Sequence, residues 1–224
     1  MSSTSGPPDG APRPPPQRAS TLLIGFVVVA ASMVAMFTVP SHDFLAAAYG
    51  STACMAVAGY LLSGGAQGYS RLFRPRAWTI VLGLSTAALL YLVFYAGNLG
   101  ITAFHPFGIS ASNEGSIYSL ISSPGNPAYI QVGVLAFDSV GYESFFRGVL
   151  QARLQPRTGL ASVFIVALVD ASLHVFTLNP LWMATTFIAD SAWGLTYFYS
   201  KDLSSNITSH FVWDVFIFIV LPIK

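Results

Sequence analysis

Residues 128–154 read AYIQVGVLAFDSVGYESFFRGVLQARL, an apolar stretch that nevertheless contains Asp138, Glu143 and Arg147. About 20 apolar residues in a helix are enough to cross the hydrocarbon core of a bilayer. An ionised side chain in the middle of such a helix costs about 2.5–3.5 kcal/mol on insertion scales. The stretch therefore predicts a membrane helix whose charged residues face other helices or a water-filled cavity rather than lipid.

The composition of the whole chain points to the same class of protein. Of its 224 residues, 54% are hydrophobic and 8% are charged, whereas soluble domains have about 25% charged residues. The net charge of +1 and the lack of a basic run give no support for a nucleic-acid partner. A single cysteine, Cys54, excludes a disulfide framework and a thiolate metal site within the chain.

Six other apolar segments have lengths near that of a membrane span. They are Thr21–Val39, Phe44–Leu62, Trp78–Phe104, Leu160–Phe176, Leu181–Tyr199 and Ser205–Ile223. Together with Ala128–Leu154 they predict an all-α fold, a polytopic transmembrane helical bundle of about seven spans. We therefore expect an integral, multi-pass membrane protein surrounded by the lipid bilayer.

The polar segments divide the chain and orient it. Residues 1–20 are rich in Pro, Ser and Gly and are expected to form a disordered tail. Residues 21–127 contain the first three spans and an external loop, and residues 128–224 form a second membrane bundle. Basic residues collect in the tail and in alternate connections, at Arg13, Arg18, Arg71, Arg74, Arg76, Arg153, Arg157 and Lys201. The positive-inside rule therefore predicts a cytoplasmic N-terminus.

The ionisable residues inside the predicted spans occur in pairs four residues apart. The pairs are Glu143 with Arg147, Asp170 with His174, and His210 with Asp214. Residues at i and i+4 share one face of a helix. Three such pairs on three spans predict one polar cluster inside the bundle. Asp138 and Asp190 have no such partner on their own helices, and we expect them either to support the residues of the cluster or to be polar packing groups.

The cluster suits general-base activation of a water molecule. Arg147 would hold Glu143 ionised, a histidine would stabilise an oxyanion, and Asp214 would orient His210. Alternatively, Glu143, His174 and His210 would bind a divalent metal such as Zn²⁺, since two histidines and one carboxylate are a catalytic zinc set. The aromatic residues nearby are expected to face lipid or the membrane interface: Phe145, Phe146, Trp78, Trp182 and Trp193.

Residues 141–148, GYESFFRG, precede one span with His174 and a last span with His210-Phe211-Val212-Trp213-Asp214. This order resembles the CPBP intramembrane proteases, which include the type II CAAX prenyl endopeptidases and bacterial abortive-infection membrane proteins. The pattern of that family is E-E-x-x-x-R, then F-x-x-x-H, then H-x-x-x-N or H-x-x-x-D. The resemblance covers residues 128–224.

The resemblance implies an endopeptidase in a prokaryotic cell membrane that cleaves near the C-terminus of a membrane-embedded or lipidated peptide or protein. It places Glu143, Arg147, His174, His210 and Asp214 at the catalytic positions, with a site open to the cytoplasmic half of the bilayer. Two positions depart from the family pattern. Tyr142 stands where the first glutamate is usual, and Asp170 stands where phenylalanine is usual; both are expected to support the site.

Two other functions are compatible with the same residues. A catalytically inactive relative would bind a membrane peptide or act as an immunity protein, and Tyr142 favours this alternative. A proton-coupled carrier would also need buried acids and histidines. Carriers often contain inverted repeats or paired broken helices, and the sequence shows neither.

Overall fold

The computed structural model describes residues 18–40, 43–104, 113, 115–118 and 127–223. Within these ranges the chain is helical and contains no β-strand, so the predicted all-α class is confirmed. Residues 1–17 of the predicted tail, most of the predicted external loop, His42, His105 and Lys224 lie outside the described residues. The end of the predicted tail is wrong, because Ala19 and Ser20 belong to the first helix.

Each of the seven predicted spans coincides with helical structure to within a few residues. The helices are α1 (Ala19–Thr38), α2 (Phe44–Ser63), the short α3 (Gly65–Ser70), α4 (Ala77–Phe104), α5 (Ala128–Phe145), α6 (Ala152–Thr158), α7 (Ala161–Leu173), α8 (Pro180–Ser200) and α9 (Leu203–Val215). A π-helical turn, Phe146–Gln151, joins α5 to α6. A 3₁₀ turn, His174–Thr177, extends α7, and a π turn, Phe216–Val220, extends α9.

Four helices in the described part of the chain are long and apolar enough to cross a membrane. They are α1, α2, α4 and the segment Leu203–Val220. The segment Ala161–Thr177 is apolar but shorter. Large apolar side chains such as Leu23, Ile24 and Leu92 are more than 60% exposed, as expected for a surface in contact with lipid. These findings support an integral membrane protein.

Local sequence signals explain where the last two helices begin. The side chain of Asn179 accepts hydrogen bonds from the backbone N–H groups of Leu181 and Trp182, and Pro180 occupies the first turn of α8. Asp202 caps α9 by accepting a hydrogen bond from the Ser204 N–H, at 2.9 Å. Such caps satisfy backbone donors that have no partner inside the helix.

Glycines allow the helices that carry the site to approach closely. A Cβ atom at Gly141 would lie 2.7 Å from the carbonyl oxygen of Thr52, and one at Gly59 would lie 2.8 Å from Cβ of Ser144. Helix α2 therefore packs directly on α5 through small residues, as membrane helices often do. This contact fixes the height of α5 in the bundle.

Two apolar clusters meet at the polar residues. One is formed by α1, α2, α5 and α7 and includes Phe145 and Phe146, which are fully buried. The other is formed by α4, α8 and α9 and includes Trp193 and Trp213. The expectation that Phe145, Phe146 and Trp193 face lipid is wrong, because the helices that carry them are covered on that side by neighbouring helices.

Candidate active site

An apolar cavity of about 550 Å³ lies inside the bundle. Its wall consists mostly of apolar and aromatic side chains from α1, α2, α4, α5, α8 and α9. The ionisable side chains at this wall include Asp138, Tyr142, His174, His210 and Asp214. An apolar pocket with a few convergent polar groups is the usual form of a binding or catalytic site.

Glu143 lies behind this wall and is completely buried. Its Oε1 atom is 2.9 Å from Nδ1 of His210, and its Oε2 atom accepts a hydrogen bond from Nδ2 of Asn206 at 3.1 Å. An ionised carboxylate only accepts hydrogen bonds, so Nδ1 of His210 carries the proton and donates. Glu143 thus orients His210, a role that the sequence analysis gave to Asp214.

Arg147 connects Glu143 to helix α8. Its Nε atom lies 3.4 Å from Oε2 of Glu143, and its Nη2 atom donates to Oδ1 of Asp190 at 2.6 Å. The same nitrogen is 3.2 Å from the carbonyl oxygen of Asp190. Asp190 therefore supports the site by holding Arg147.

Arg147 lies in the π turn Phe146–Gln151, which follows Glu143 and joins α5 to α6. Such turns often occur at functional sites.

Tyr142 occupies the cavity wall at the position of the usual first glutamate. Its hydroxyl donates to Asp170 and lies 3.2 Å from Oδ1 of Asp190. Its ring is perpendicular to that of His210, with 5.0 Å between the centroids. The phenol therefore points to two buried carboxylates, while the ring forms part of the cavity surface.

His174 lies at the end of α7, where the helix tightens into a 3₁₀ turn. Its Nδ1 atom is 3.0 Å from the carbonyl oxygen of Asp170, which can only accept. The Nδ1 atom therefore donates, and a neutral ring has its lone pair at Nε2. The ring packs against Phe37 and Trp182, with centroids at 4.9 and 5.9 Å.

His210 is held on three sides. Besides Glu143, it stacks on Trp193 at a centroid distance of 3.9 Å and an interplanar angle of 17°. Its Nε2 atom lies 3.5 Å from Oδ2 of Asp214, longer than an ordinary N–H···O hydrogen bond. The stacking fixes the plane of the imidazole, and Glu143 fixes its rotation within that plane.

Asp138 is the site residue that the sequence analysis missed. It accepts a hydrogen bond from Oγ1 of Thr52, and it lies on the cavity wall. Ligand atoms of Asp138, His210 and Asp214 lie within 4.8 Å of one another. The signal was available in the spacing, since Asp138 and Tyr142 are four residues apart and share a helix face.

The three predicted i,i+4 pairs all lie within 4 Å in the structure. Glu143, Arg147, His210 and Asp214 form one connected group. Tyr142 links Asp170 to that group through Asp190. His174 contacts Asp170, and it shares the cavity wall with His210. The group of three potential metal ligands that the described residues bring together contains Asp138 and Asp214 in place of Glu143 and His174.

Fold and site together define a helical membrane protein with an ionisable cluster at the wall of an apolar cavity. The family model described as type II CAAX prenyl endopeptidase Rce1-like matches residues 124–216, which contain the acids, the histidines and the arginine described above. The predicted resemblance of this region to the CPBP intramembrane proteases is therefore confirmed. Comparisons with curated proteins and with solved structures gave no match.

Proposed function

We propose that this protein is an intramembrane endopeptidase that hydrolyses a peptide bond near the C-terminus of a membrane-associated substrate. The observation that carries the proposal is the Rce1-like match over residues 124–216, because His174 and His210 of that region face one cavity. Members of such a family act as CAAX-type membrane proteases. A cavity with apolar walls suits a lipid-modified or transmembrane peptide.

In the proposed mechanism a water molecule in the cavity attacks the scissile carbonyl. Nε2 of His210 is the candidate base, because Glu143 holds Nδ1 protonated and stabilises the imidazolium that forms. Nε2 of His174, whose Nδ1 proton is used by the carbonyl oxygen of Asp170, is a candidate acceptor that helps to orient the attacking water. The proton that His210 takes from the water then passes to the leaving amine. Glu143 and Arg147 act as positioning residues, since both are completely buried behind the wall.

We further propose seven spans with a cytoplasmic N-terminus. Three further segments would cross the membrane besides the four long apolar helices. Helix α5 with its extension and helix α8 contain polar site residues that lower their hydropathy, and the segment Ala161–Thr177 is apolar but shorter. The basic connections then lie together at the cytoplasmic end, and the short α3 lies there too.

This topology has a consequence for access to the site. The cavity is lined by the last turns of α1 and α4, by α2, α5 and α8 from their first turns as far as Met55, Tyr142 and Trp193, and by the end of the α9 segment. In a protein with a cytoplasmic N-terminus, this lining extends from the non-cytoplasmic ends of the spans to the middle of the bundle. We propose that substrate enters from the non-cytoplasmic half, in contrast to the cytoplasmic opening that the resemblance implies.

Cleavage in a reconstituted membrane tests the endopeptidase proposal. The full chain in proteoliposomes is incubated with a library of membrane peptides, with and without a lipid group, and products are identified by mass spectrometry. His210→Ala and His174→Ala should each lower the rate by about 10²–10⁴-fold, the usual contribution of a general acid or base. His105→Ala, the same change in the connection between α4 and α5, should retain activity. Wild-type product no greater than that of the two site variants would contradict the proposal.

A catalytically inactive binding protein is the second candidate, and Tyr142 favours it. A phenol with a reference pKa near 10 is a poor base at neutral pH. In that case wild type should bind a membrane peptide without cleaving it. The variant Tyr142→Glu, which restores the usual family residue, should then produce cleavage that wild type lacks. Cleavage by wild type would exclude this candidate.

A further inference from the structure

Helix α7 carries His174 to the cavity wall, and its polar contact with the neighbouring helices is made by Asp170. Within the described ranges, the bond that the Tyr142 hydroxyl donates to Asp170 is the one side-chain hydrogen bond between α7 and another helix. We propose that Tyr142 and Asp170 are positioning residues, whose hydrogen bond holds the end of α7 and thereby places His174 in the cavity wall. The inference rests on the proposed endopeptidase function, in which His174 orients the attacking water.

The position of His174 depends on Asp170 because the segment after α7 has little regular structure of its own. Nδ1 of His174 is 3.0 Å from the carbonyl oxygen of Asp170, so the ring follows the last turn of α7. The α-helix ends at Leu173, and a short 3₁₀ turn follows it. Leu178 then has a φ of 54°, a left-handed conformation that residues with a Cβ atom rarely adopt. Such a segment keeps its place only where surrounding contacts hold it.

The Tyr142 hydroxyl lies at the junction of three helices. Tyr142 belongs to α5, donates to Asp170 on α7, and lies 3.2 Å from Oδ1 of Asp190 on α8. Its ring packs on Phe146 with 4.6 Å between the centroids, and the ring forms part of the cavity wall. Removal of the hydroxyl alone therefore breaks the junction and leaves the wall in place.

A line of buried polar contacts connects the two histidines of the proposed mechanism through this junction. From His174 to His210 it passes through Asp170, Tyr142, Asp190, Arg147 and Glu143. Four of these five linking residues are completely buried, and the fifth is 8% exposed. Hydrogen bonds in an interior of low dielectric are stronger than in water and polarise one another. The junction therefore helps to fix the separation of the two histidines.

The phenol is the hydrogen-bond donor on which the Asp170 side chain depends. Asp170 is completely buried, and its Oδ1 atom has no hydrogen-bond partner in the part of the chain that the structure describes. Nδ1 of His174 is 3.8 Å from Oδ2 of Asp170, too far for a hydrogen bond. Loss of the Tyr142 hydroxyl would leave a buried carboxyl group without a donor, which is costly. Local opening at the end of α7 would relieve this cost by admitting water.

Hydrogen–deuterium exchange of the full chain in detergent, read by mass spectrometry, tests the junction. In Tyr142→Phe the amides of residues 170–178 should exchange about tenfold faster than in wild type, because an unmade buried hydrogen bond favours local opening to that extent. The amides of α2 should be unchanged. Tyr69→Phe is the matched control, since the Tyr69 hydroxyl pairs with Oγ of Ser144 on α5 at 2.8 Å and is not part of the cavity wall. This variant should exchange like wild type at residues 170–178.

Two substitutions of Asp170 keep the test decisive if Tyr142→Phe fails to fold. Asp170→Asn retains an oxygen that can accept from the Tyr142 hydroxyl, so residues 170–178 should exchange like those of wild type. Asp170→Leu has a similar size but no acceptor. It should exchange as fast as Tyr142→Phe in the same residues.

Cleavage kinetics connect the junction to His174. Tyr142→Phe should lower kcat by about 10–100-fold, since a small displacement of a reacting group has an effect of that order. KM should be unchanged, because the ring still lines the cavity. In a His174→Ala background the same change should cause no further loss. Glu143→Gln, which acts through His210, should lower kcat in both backgrounds.

Unchanged exchange at residues 170–178 in Tyr142→Phe and Asp170→Leu would overturn the proposal. A further loss of kcat on adding Tyr142→Phe to His174→Ala would also overturn it, because the phenol would then act independently of His174. The exchange measurement needs no substrate. Absence of cleavage by wild type would therefore reject the endopeptidase function, while the exchange rates would still decide whether Tyr142 and Asp170 hold the end of α7.

Discussion

His210 uses its two ring nitrogens for different purposes. Nδ1 is tied to the buried Glu143, and Nε2 is directed to Asp214 and the cavity. Stacking on Trp193 holds the ring in one plane. The contacts with Glu143 and Trp193 therefore fix the position of Nε2 and leave its lone pair available.

Replacement of Glu143 tests its assignment as a positioning residue. In Glu143→Gln the amide oxygen can still accept from His210, but the negative charge that stabilises an imidazolium is lost. We expect kcat to fall by about 10–100-fold with little change in KM. A loss of this size is usual when a residue that orients a site residue is replaced. A pH profile checks the role, since the rate should still depend on His210. A 10⁴-fold loss with a flat pH profile would instead make Glu143 the base.

Arg147 should resist even a conservative replacement. Its guanidinium reaches Asp190 and Glu143 at once, and a lysine ammonium lacks the planar fork needed for both. We expect Arg147→Lys to destabilise the fold by about 3–5 kcal/mol, the range for breaking a buried ion pair. Thermal unfolding in detergent measures the effect. Arg157→Lys, at an exposed position, is the control and should unfold like wild type.

At the scale of elements, the site depends on how closely α2 approaches α5. Thr52 on α2 both faces Gly141 and donates to Asp138. Thr52 therefore connects the contact between the two helices to Asp138 on the cavity wall. A change in the spacing of these two helices would move Asp138 relative to α9.

Gly141→Ala tests this contact. The added Cβ would meet the Thr52 carbonyl oxygen at 2.7 Å, and crowding of this kind costs about 1–3 kcal/mol. We expect a lower Tm than that of wild type. Gly50→Ala on α2 is the matched control, since a Cβ there meets nothing within 4 Å. Equal stability of the two variants would show that the close approach does not matter.

At the scale of the whole molecule, the basic connections and the cavity lie at opposite ends of the bundle. Arg153 donates to the carbonyl oxygen of Leu62 at the end of α2, and Asp202 accepts from the Arg74 N–H. These contacts join the basic segments at one end. The cavity occupies the other half, which gives the proposed topology a direct consequence for substrate access.

Cysteine labelling distinguishes the two ends. In a Cys54→Ser background, Tyr129→Cys marks the start of α5 and Tyr199→Cys marks the end of α8; the native side chains are 76% and 73% exposed. A membrane-impermeant maleimide should label Tyr129→Cys on intact cells and Tyr199→Cys only after permeabilisation. The reverse pattern would place the cavity in the cytoplasmic half, as the resemblance implies.

The sequence alone determined the membrane class, the all-α fold and the helical extents, because the cost of charge in lipid and the length of an apolar helix are local properties. It also determined the three i,i+4 pairs, since helix periodicity fixes which neighbours share a face. Only the tertiary structure decided that Glu143 lies behind His210, that Trp193 is buried, and that Asp138 faces the cavity with Asp214. Those relations join α5 to α8 and α9, and contacts between helices depend on how their surfaces pack together, which no spacing within one helix specifies.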